Sequence, residues 1–174
     1  MKQLKIAIIG SGSTYTPELI EGLIARKESL MLKNITMMDI NKEKNEIVGS
    51  LVKRMLAHHQ IQAELILTDS LEEAVKDADY ILGQIRVGML DARIRDEKIP
   101  LKYGLIGQET TGIGGFMKAM RTIPVMMNLA KTIETLAPNA WLINFSNPSG
   151  LLAETLLNHT NVKTIGLCNN PVNM

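Results

Sequence analysis

Three groups of residues in this 174-residue chain have types and spacings that can do chemistry. Gly10-Ser11-Gly12-Ser13 directly follows an apolar run at 4–9. Glycine at 10 permits a tight turn, and glycine at 12 lets an anion approach the backbone. Free amides at the start of the following helix, together with that helix's dipole, favour a pyrophosphate. The third glycine of the usual dinucleotide fingerprint would fall at position 15, which is Tyr15. Asp39 ends the next apolar run. An acid there accepts both ribose hydroxyls of NAD and repels the additional phosphate of NADP. Structural turns also use glycine, and acids often begin helices. Strand, turn, helix, strand and acid occurring in that order nevertheless point to nucleotide binding, with NAD ahead of NADP.

The second group is Cys168, the single cysteine, within Thr164-Ile165-Gly166-Leu167-Cys168-Asn169-Asn170-Pro171. A thiol at the carboxyl end of a late strand lies where open α/β sheets bind ligands. It can be a metal ligand, a nucleophile or a small buried hydrophobe, and a lone cysteine is most often the last. The third is Asn144-Phe145-Ser146-Asn147-Pro148-Ser149-Gly150, closing another strand. Asn147 either only connects strand to helix or projects its amide into the crevice above the sheet. Between these lie a glycine-rich polar loop, 104–115, and the charged run Arg93-Ile94-Arg95-Asp96-Glu97-Lys98. Most such runs are solvated faces, and Arg95 must face the crevice to clamp a sugar or phosphate. His58 and His59 fall mid-helix and His159 near a helix end, positions that suit solvated or structural roles.

The elements needed to position these groups alternate along the chain. Strands are predicted at 4–9, 34–39, 61–67, 80–84, 140–145 and 162–167. Helices are predicted from Thr16 as N-cap with Pro17 at its first position, from Asn41 to about 59, at 70–76, 91–103, 116–136 and 148–157. This pattern specifies one α/β domain spanning 1–174: a doubly wound, mostly parallel, Rossmann-like sheet with strand order 3-2-1-4-5-6. A content of 45% hydrophobic and 21% charged residues suits a globular core. A net charge of +1 gives no electrostatic basis for binding nucleic acid or an anionic membrane. No run is long enough to span a bilayer or to form a signal-peptide core. A single cysteine cannot form an internal disulfide, so a reducing, cytoplasmic setting is expected.

Taken together, these segments resemble the amino-terminal part of a family-4 glycoside hydrolase, one of the NAD- and metal-dependent glycosidases, and most of all the 6-phospho-β-glucosidases. The matching runs are Ile8-Ile9-Gly10-Ser11-Gly12-Ser13-Thr14, 93–99, Gly104-Leu105-Ile106-Gly107-Gln108-Glu109-Thr110-Thr111-Gly112, Phe145-Ser146-Asn147-Pro148 and Gly166-Leu167-Cys168-Asn169. Relatives acting on α-linked phosphosugars tend to carry Asp after the cysteine, where this chain has Asn169. The resemblance implies that Gly10, Gly12, Ser13, Thr14 and Asp39 hold NAD. Arg95 and Asn147 would contact the substrate, a phosphorylated disaccharide or β-glucoside, and Cys168 would ligate a divalent metal, usually Mn²⁺. A thiolate suits softer ions than Mn²⁺.

The implied reaction is oxidation at sugar carbon 3, loss of the carbon-2 proton, elimination at carbon 1, addition of water and return of hydride. The paired-carboxylate displacement of most glycosidases is not involved. Family members are more than twice this length. Their second metal ligand, a histidine, and the proton-abstracting tyrosine are expected beyond residue 174. The chain alone is therefore expected to bind NAD weakly without turnover and to expose apolar surface that favours a homo-oligomer. Gly112-Ile113-Gly114 in place of the more usual Gly-Pro-Gly is expected to loosen its loop. Two other readings stand beside this one. One is an NAD-dependent 2-hydroxy acid dehydrogenase, whose arginine pair Arg86, Arg93 and Arg95 only partly imitate and in which Cys168 has no use. The other is a non-enzymatic NAD-binding domain.

Overall fold

The computed structural model describes residues 2–168. Six strands, β1 (Leu4–Ile9), β2 (Leu32–Met38), β3 (Glu64–Thr68), β4 (Tyr80–Gly83), β5 (Trp141–Asn144) and β6 (Lys163–Gly166), form one parallel sheet in the order β3-β2-β1-β4-β5-β6. The helices are α1 (Thr16–Ile24), α2 (Lys42–His58), α3 (Leu71–Val75), α4 (Met89–Leu101), α5 (Gly112–Leu136) and α6 (Ser149–His159). The expected Rossmann-like order is therefore present. None of the described helices is long and apolar enough to cross a membrane.

Both faces of the sheet are covered, which is why its central strands read as continuous apolar runs. Along β1, Ile6 and Ile8 join Ile20, Ile24, Ile35, Val52 and Leu56 beneath α1 and α2. Ala7 and Ile9 point the other way, into a larger core with Ile81, Leu142 and the apolar faces of α3, α5 and α6. One strand thus feeds two cores, and the alternation of its side chains decides which residue enters which.

The ends of the elements differ from the sequence expectation in ways with local causes. Thr16 is not the cap of α1: Tyr15 holds the N-cap position, and the Thr16 hydroxyl donates back to the Ser11 carbonyl at 2.8 Å. Asn41 does cap α2, its side chain accepting from the Lys44 amide, and Ser70 caps α3 in the same way through Glu73. The third strand begins at Glu64, because the Ile61 amide is spent on the Leu56 carbonyl closing α2. α5 begins four residues earlier than predicted, at Gly112, and takes up part of the glycine-rich loop.

Glycines let this loop lie close to its neighbours. A Cβ on Gly107 would lie 2.0 Å from the Glu97 carbonyl oxygen, and one on Gly114 would lie 2.8 Å from that of Asp96, so the segment is packed directly on α4. α4 and α5 are in turn joined by a bidentate pair, in which Arg121 donates from Nη1 and Nη2 to the two carboxylate oxygens of the buried Asp96.

One buried side chain ties the glycine turn to the sheet. Asn45 on α2 is 3% exposed; its Nδ2 donates to the carbonyls of Met37 (3.0 Å) and Thr68 (3.3 Å), and its Oδ1 accepts from Ser11 Oγ (2.7 Å). Asn45→Ala leaves these partners buried without hydrogen bonds. It is expected to destabilise the chain by about 1–3 kcal/mol, measured as a shift in denaturation midpoint at unchanged m-value.

Candidate functional site

The carboxyl ends of β1, β2, β4, β5 and β6 form one edge, and Gly10, Gly12, Ser13, Thr14, Asp39, Asn147 and Cys168 follow directly on those ends. Gly10 has φ +87°, and a Cβ there would stand 2.9 Å from the Gln84 carbonyl oxygen just past β4. Only glycine allows the turn to pass this closely to β4. Gly12 is hemmed in from the protein side: a Cβ would meet Asp39 Oδ2 at 2.9 Å and Lys44 Cβ at 3.0 Å.

Most amides of the turn are already paired. Those of Gly10 and Ser11 donate to the Met38 carbonyl, that of Gly12 to Asp39 Oδ2 (2.8 Å), and that of Tyr15 to Ser13 Oγ. Among the described residues, the Thr14 amide has no protein acceptor, and Thr14 is exposed at the start of α1. Asp39 accepts from Gly12 through Oδ2 and from the Asn41 amide through Oδ1. A carboxylate offers about four acceptor positions, so these two bonds orient it while leaving two free.

Thr16 and Gln84 link this half of the edge to the next. Gln84 Nε2 donates to Thr16 Oγ1 (2.6 Å), joining α1 to the segment after β4. At the end of β5, the buried Asn144 clamps the turn that follows: its Oδ1 accepts from the Ser146 amide and its Nδ2 donates to the Ser146 carbonyl. Ser146 Oγ accepts from the Ile85 amide at 2.9 Å, and the Asn144 carbonyl accepts from the Leu167 amide at 2.8 Å. Asn147 follows this clamp half-buried, its side chain making no hydrogen bond to a described residue, in a cis bond to Pro148. Leu167 carries Cys168 to the same edge, where the thiol is exposed. The position of Asn169 lies outside the described residues.

Arg93 and Arg95 both lie on α4. Two residues on a helix are about 200° apart, so Arg93 and Arg95 leave α4 on nearly opposite sides. Arg95 is exposed, with no ion-pair partner among the described residues. Arg93 instead turns toward Glu109, Nη1 to Oε2 at 3.4 Å, and pairs with Glu97 at 2.7 Å. Arg86, three residues past β4, donates to Glu109 Oε1 at 2.6 Å, and the buried Lys118 donates to the same oxygen.

One carboxylate is therefore surrounded by three cations. Burial pushes the Glu109 carboxyl up, but the Lys118 hydrogen bond and the charges of Lys118, Arg86 and Arg93 outweigh it and hold the group below the usual glutamate range. Burial also lowers Lys118, against the stabilising effect of Glu109, and the two arginines lower it further. The charged run 93–98 did signal ionic pairing, but nothing in it marked Glu109 or Lys118 as partners. No group of three or more His, Cys, Asp or Glu side chains suited to a metal occurs among the described residues, so Cys168 is one candidate ligand standing alone.

A carboxylate lowered by its partners stabilises fully above the ordinary glutamate range and loses that contribution as pH falls through its lowered value. Glu109→Gln is expected to destabilise the chain by about 1–3 kcal/mol at neutral pH, because charged hydrogen bonds are lost around three retained cations. In pH-dependent denaturation the gap between wild type and variant should shrink toward acid. A gap constant down to pH 3 would contradict the pairing.

Known proteins resemble this chain along almost its whole length. The chain is 52% identical to a probable 6-phospho-β-glucosidase of Bacillus subtilis over 98% of its own length and 39% of that protein's. It is 38% identical to a phospho-α-glucosidase of Clostridium acetobutylicum over 99% of this chain and 39% of that one. A solved 6-phospho-β-glucosidase of Thermotoga maritima, determined with manganese, NAD⁺ and glucose 6-phosphate, superposes with a TM-score of 0.92 at 44% identity, covering 98% of this chain and 41% of that one. The chain thus spans about two fifths of the length of these relatives. The model of the family 4 glycosyl hydrolases matches residues 5–174, and the chain belongs to that family.

Proposed function

We propose that this chain forms the nucleotide-binding half of a 6-phospho-β-glucosidase that works with NAD and a divalent metal. The observation that carries the reading is the shared edge: glycine turn, Asp39, Asn147 and exposed Cys168 all lie at the carboxyl ends of one parallel sheet, as ligand groups do in this fold. Higher identity to the β-glucosidases above than to the α-glucosidase, 52% and 44% against 38%, supports the β configuration.

The residues present fit NAD. The free Thr14 amide and the dipole of α1 suit a pyrophosphate at Gly10, Gly12 and Ser13. Asp39, held by two amides, keeps spare lone pairs for ribose hydroxyls. Bound NAD would supply a hydride acceptor, and a divalent ion would supply Lewis-acid stabilisation of enolate charge. The chain's own part is to orient the reactants. The unpaired Asn147 amide is placed to hold sugar hydroxyls, and Cys168 to offer one sulfur ligand. Arg95, exposed and without an ion-pair partner among the described residues, is free to meet an anionic substrate, whereas Arg86 and Arg93 are already paired with Glu109. The exposed Leu101, Tyr103, Ile106 and Phe116, around the α4–α5 connection, are surface that a second copy or the remainder of a longer enzyme would cover.

Asp39→Asn is expected to weaken NAD binding roughly tenfold in calorimetry, since a charged hydrogen bond to the ribose is lost, and to relax discrimination against NADP. An unchanged NAD-to-NADP ratio would remove Asp39 from the ribose site. With NAD and Mn²⁺ present, residues 1–174 alone are expected to leave a chromogenic 6-phospho-β-glucoside intact, whereas the longer enzyme cleaves it in preference to the α anomer. Turnover by the 174-residue chain would overturn the half-site reading, and preference for the α anomer would overturn the β assignment.

A further inference from the structure

We propose that Tyr15 and Phe145 together form the platform on which the nicotinamide ring of NAD lies, an inference that rests on the nucleotide reading above. Tyr15 occupies the position at which a dinucleotide turn commonly has its third glycine, and its side chain does not fold back onto α1. Its ring stacks on that of Phe145, with centroids 5.1 Å apart and planes 16° from parallel, and remains 36% exposed.

Both rings are anchored on the segment after β4. Next to Tyr15, Thr16 receives the Gln84 side chain at 2.6 Å. The Phe145 amide donates to the Gly83 carbonyl at 2.7 Å, and the neighbouring Ser146 receives the Ile85 amide at 2.9 Å. The pair therefore bridges from the turn after β1 to the end of β5, across the end of β4.

The path of a dinucleotide across this edge leads to that bridge. With its adenosine ribose at Asp39 beyond β2 and its pyrophosphate at the turn after β1, the remaining half can only continue over β4 toward β5. The oxidised nicotinamide ring is planar and positively charged. A part-exposed aromatic stack offers it an apolar face whose π-electrons attract a cation. The phenol hydroxyl makes no hydrogen bond to a described residue, so the ring face is what Tyr15 contributes.

The test compares two ligands identical except for the ring: NAD⁺ and ADP-ribose, titrated calorimetrically into wild type, Tyr15→Leu and Tyr15→Phe, with thermal midpoints recorded for each. Tyr15→Leu is expected to weaken NAD⁺ binding about three- to tenfold and to leave ADP-ribose unchanged, while Tyr15→Phe binds both like wild type. Equal NAD⁺ affinity in wild type and Tyr15→Leu would overturn the platform. So would an equal loss for both ligands, which would mark Tyr15 as a support for the turn. If wild type binds neither ligand at millimolar concentration, the nucleotide reading itself fails, and the platform with it.

Discussion

The carboxyl edge of this sheet depends on the buried hydrogen bonds of Asn45. An asparagine side chain offers two donors and one acceptor group, and Asn45 uses them on the ends of two strands and on the serine between the two glycines of the turn. Met37 is the last but one residue of β2, Thr68 ends β3 and Ser11 lies inside the turn, so three segments distant in sequence are set by one amide. In a buried setting these bonds gain strength from the low local dielectric, and breaking any one leaves an unpaired group. The turn is therefore held in shape by the fold itself, with its inner amides satisfied by Met38 and Asp39 and the Thr14 amide left without an acceptor among the described residues. Preorganisation of this kind lowers the entropy lost on binding.

A second support holds the other half of the edge. The bidentate Arg121–Asp96 pair fixes α5 against α4, and the close backbone packing of Gly107 and Gly114 brings the loop carrying Glu109 onto that joint. Glu109 can then meet Arg86 from the β4 loop, Arg93 from α4 and Lys118 from α5. Arg93 also pairs with Glu97, so three cations stand against two carboxylates and the corner keeps one positive charge while Lys118 is ionised. The guanidinium groups retain their charge at any working pH, whereas burial lowers Lys118, so the excess rests on the lysine.

Much of the fold was legible in the sequence, because apolar runs of strand length alternating with capped helices leave few topologies open. Asn41 was readable as a cap since capping is local, reaching only three residues along the chain. Thr16 misled for a related reason. Thr before Pro is a cap signal, but a distant partner, Gln84, competes for the hydroxyl, and local chemistry cannot show this. The distinction between Arg93 and Arg95 was equally hidden. Helical periodicity says that they face apart, yet which one meets Glu109 depends on how α4 packs against α5, where Asp96 and Arg121 join residues 25 apart. Asn45 sat unnoticed in a charged helix face because one buried polar residue there has no periodic signature.

The position of Cys168 constrains any reaction at this edge. β6 is three strands from β1 in the sheet, and at about 4.8 Å per strand the thiol's strand lies roughly 14 Å from the glycine turn's. A single sulfur cannot close a metal site, and manganese prefers oxygen and nitrogen donors, so further ligands must approach the thiol from its open side. If nucleotide and metal both bind, the substrate must lie between them, over β4 and β5. That interval contains Asn147, held in place from below by the Asn144 clamp and left without a protein hydrogen bond of its own. It also contains the exposed ring of Tyr15 on one side and the cations around Glu109 beside the β4 loop. A substrate with a polar sugar ring and a separate anionic group matches this spacing. A small 2-hydroxy acid would fill only part of it and would leave the sulfur idle.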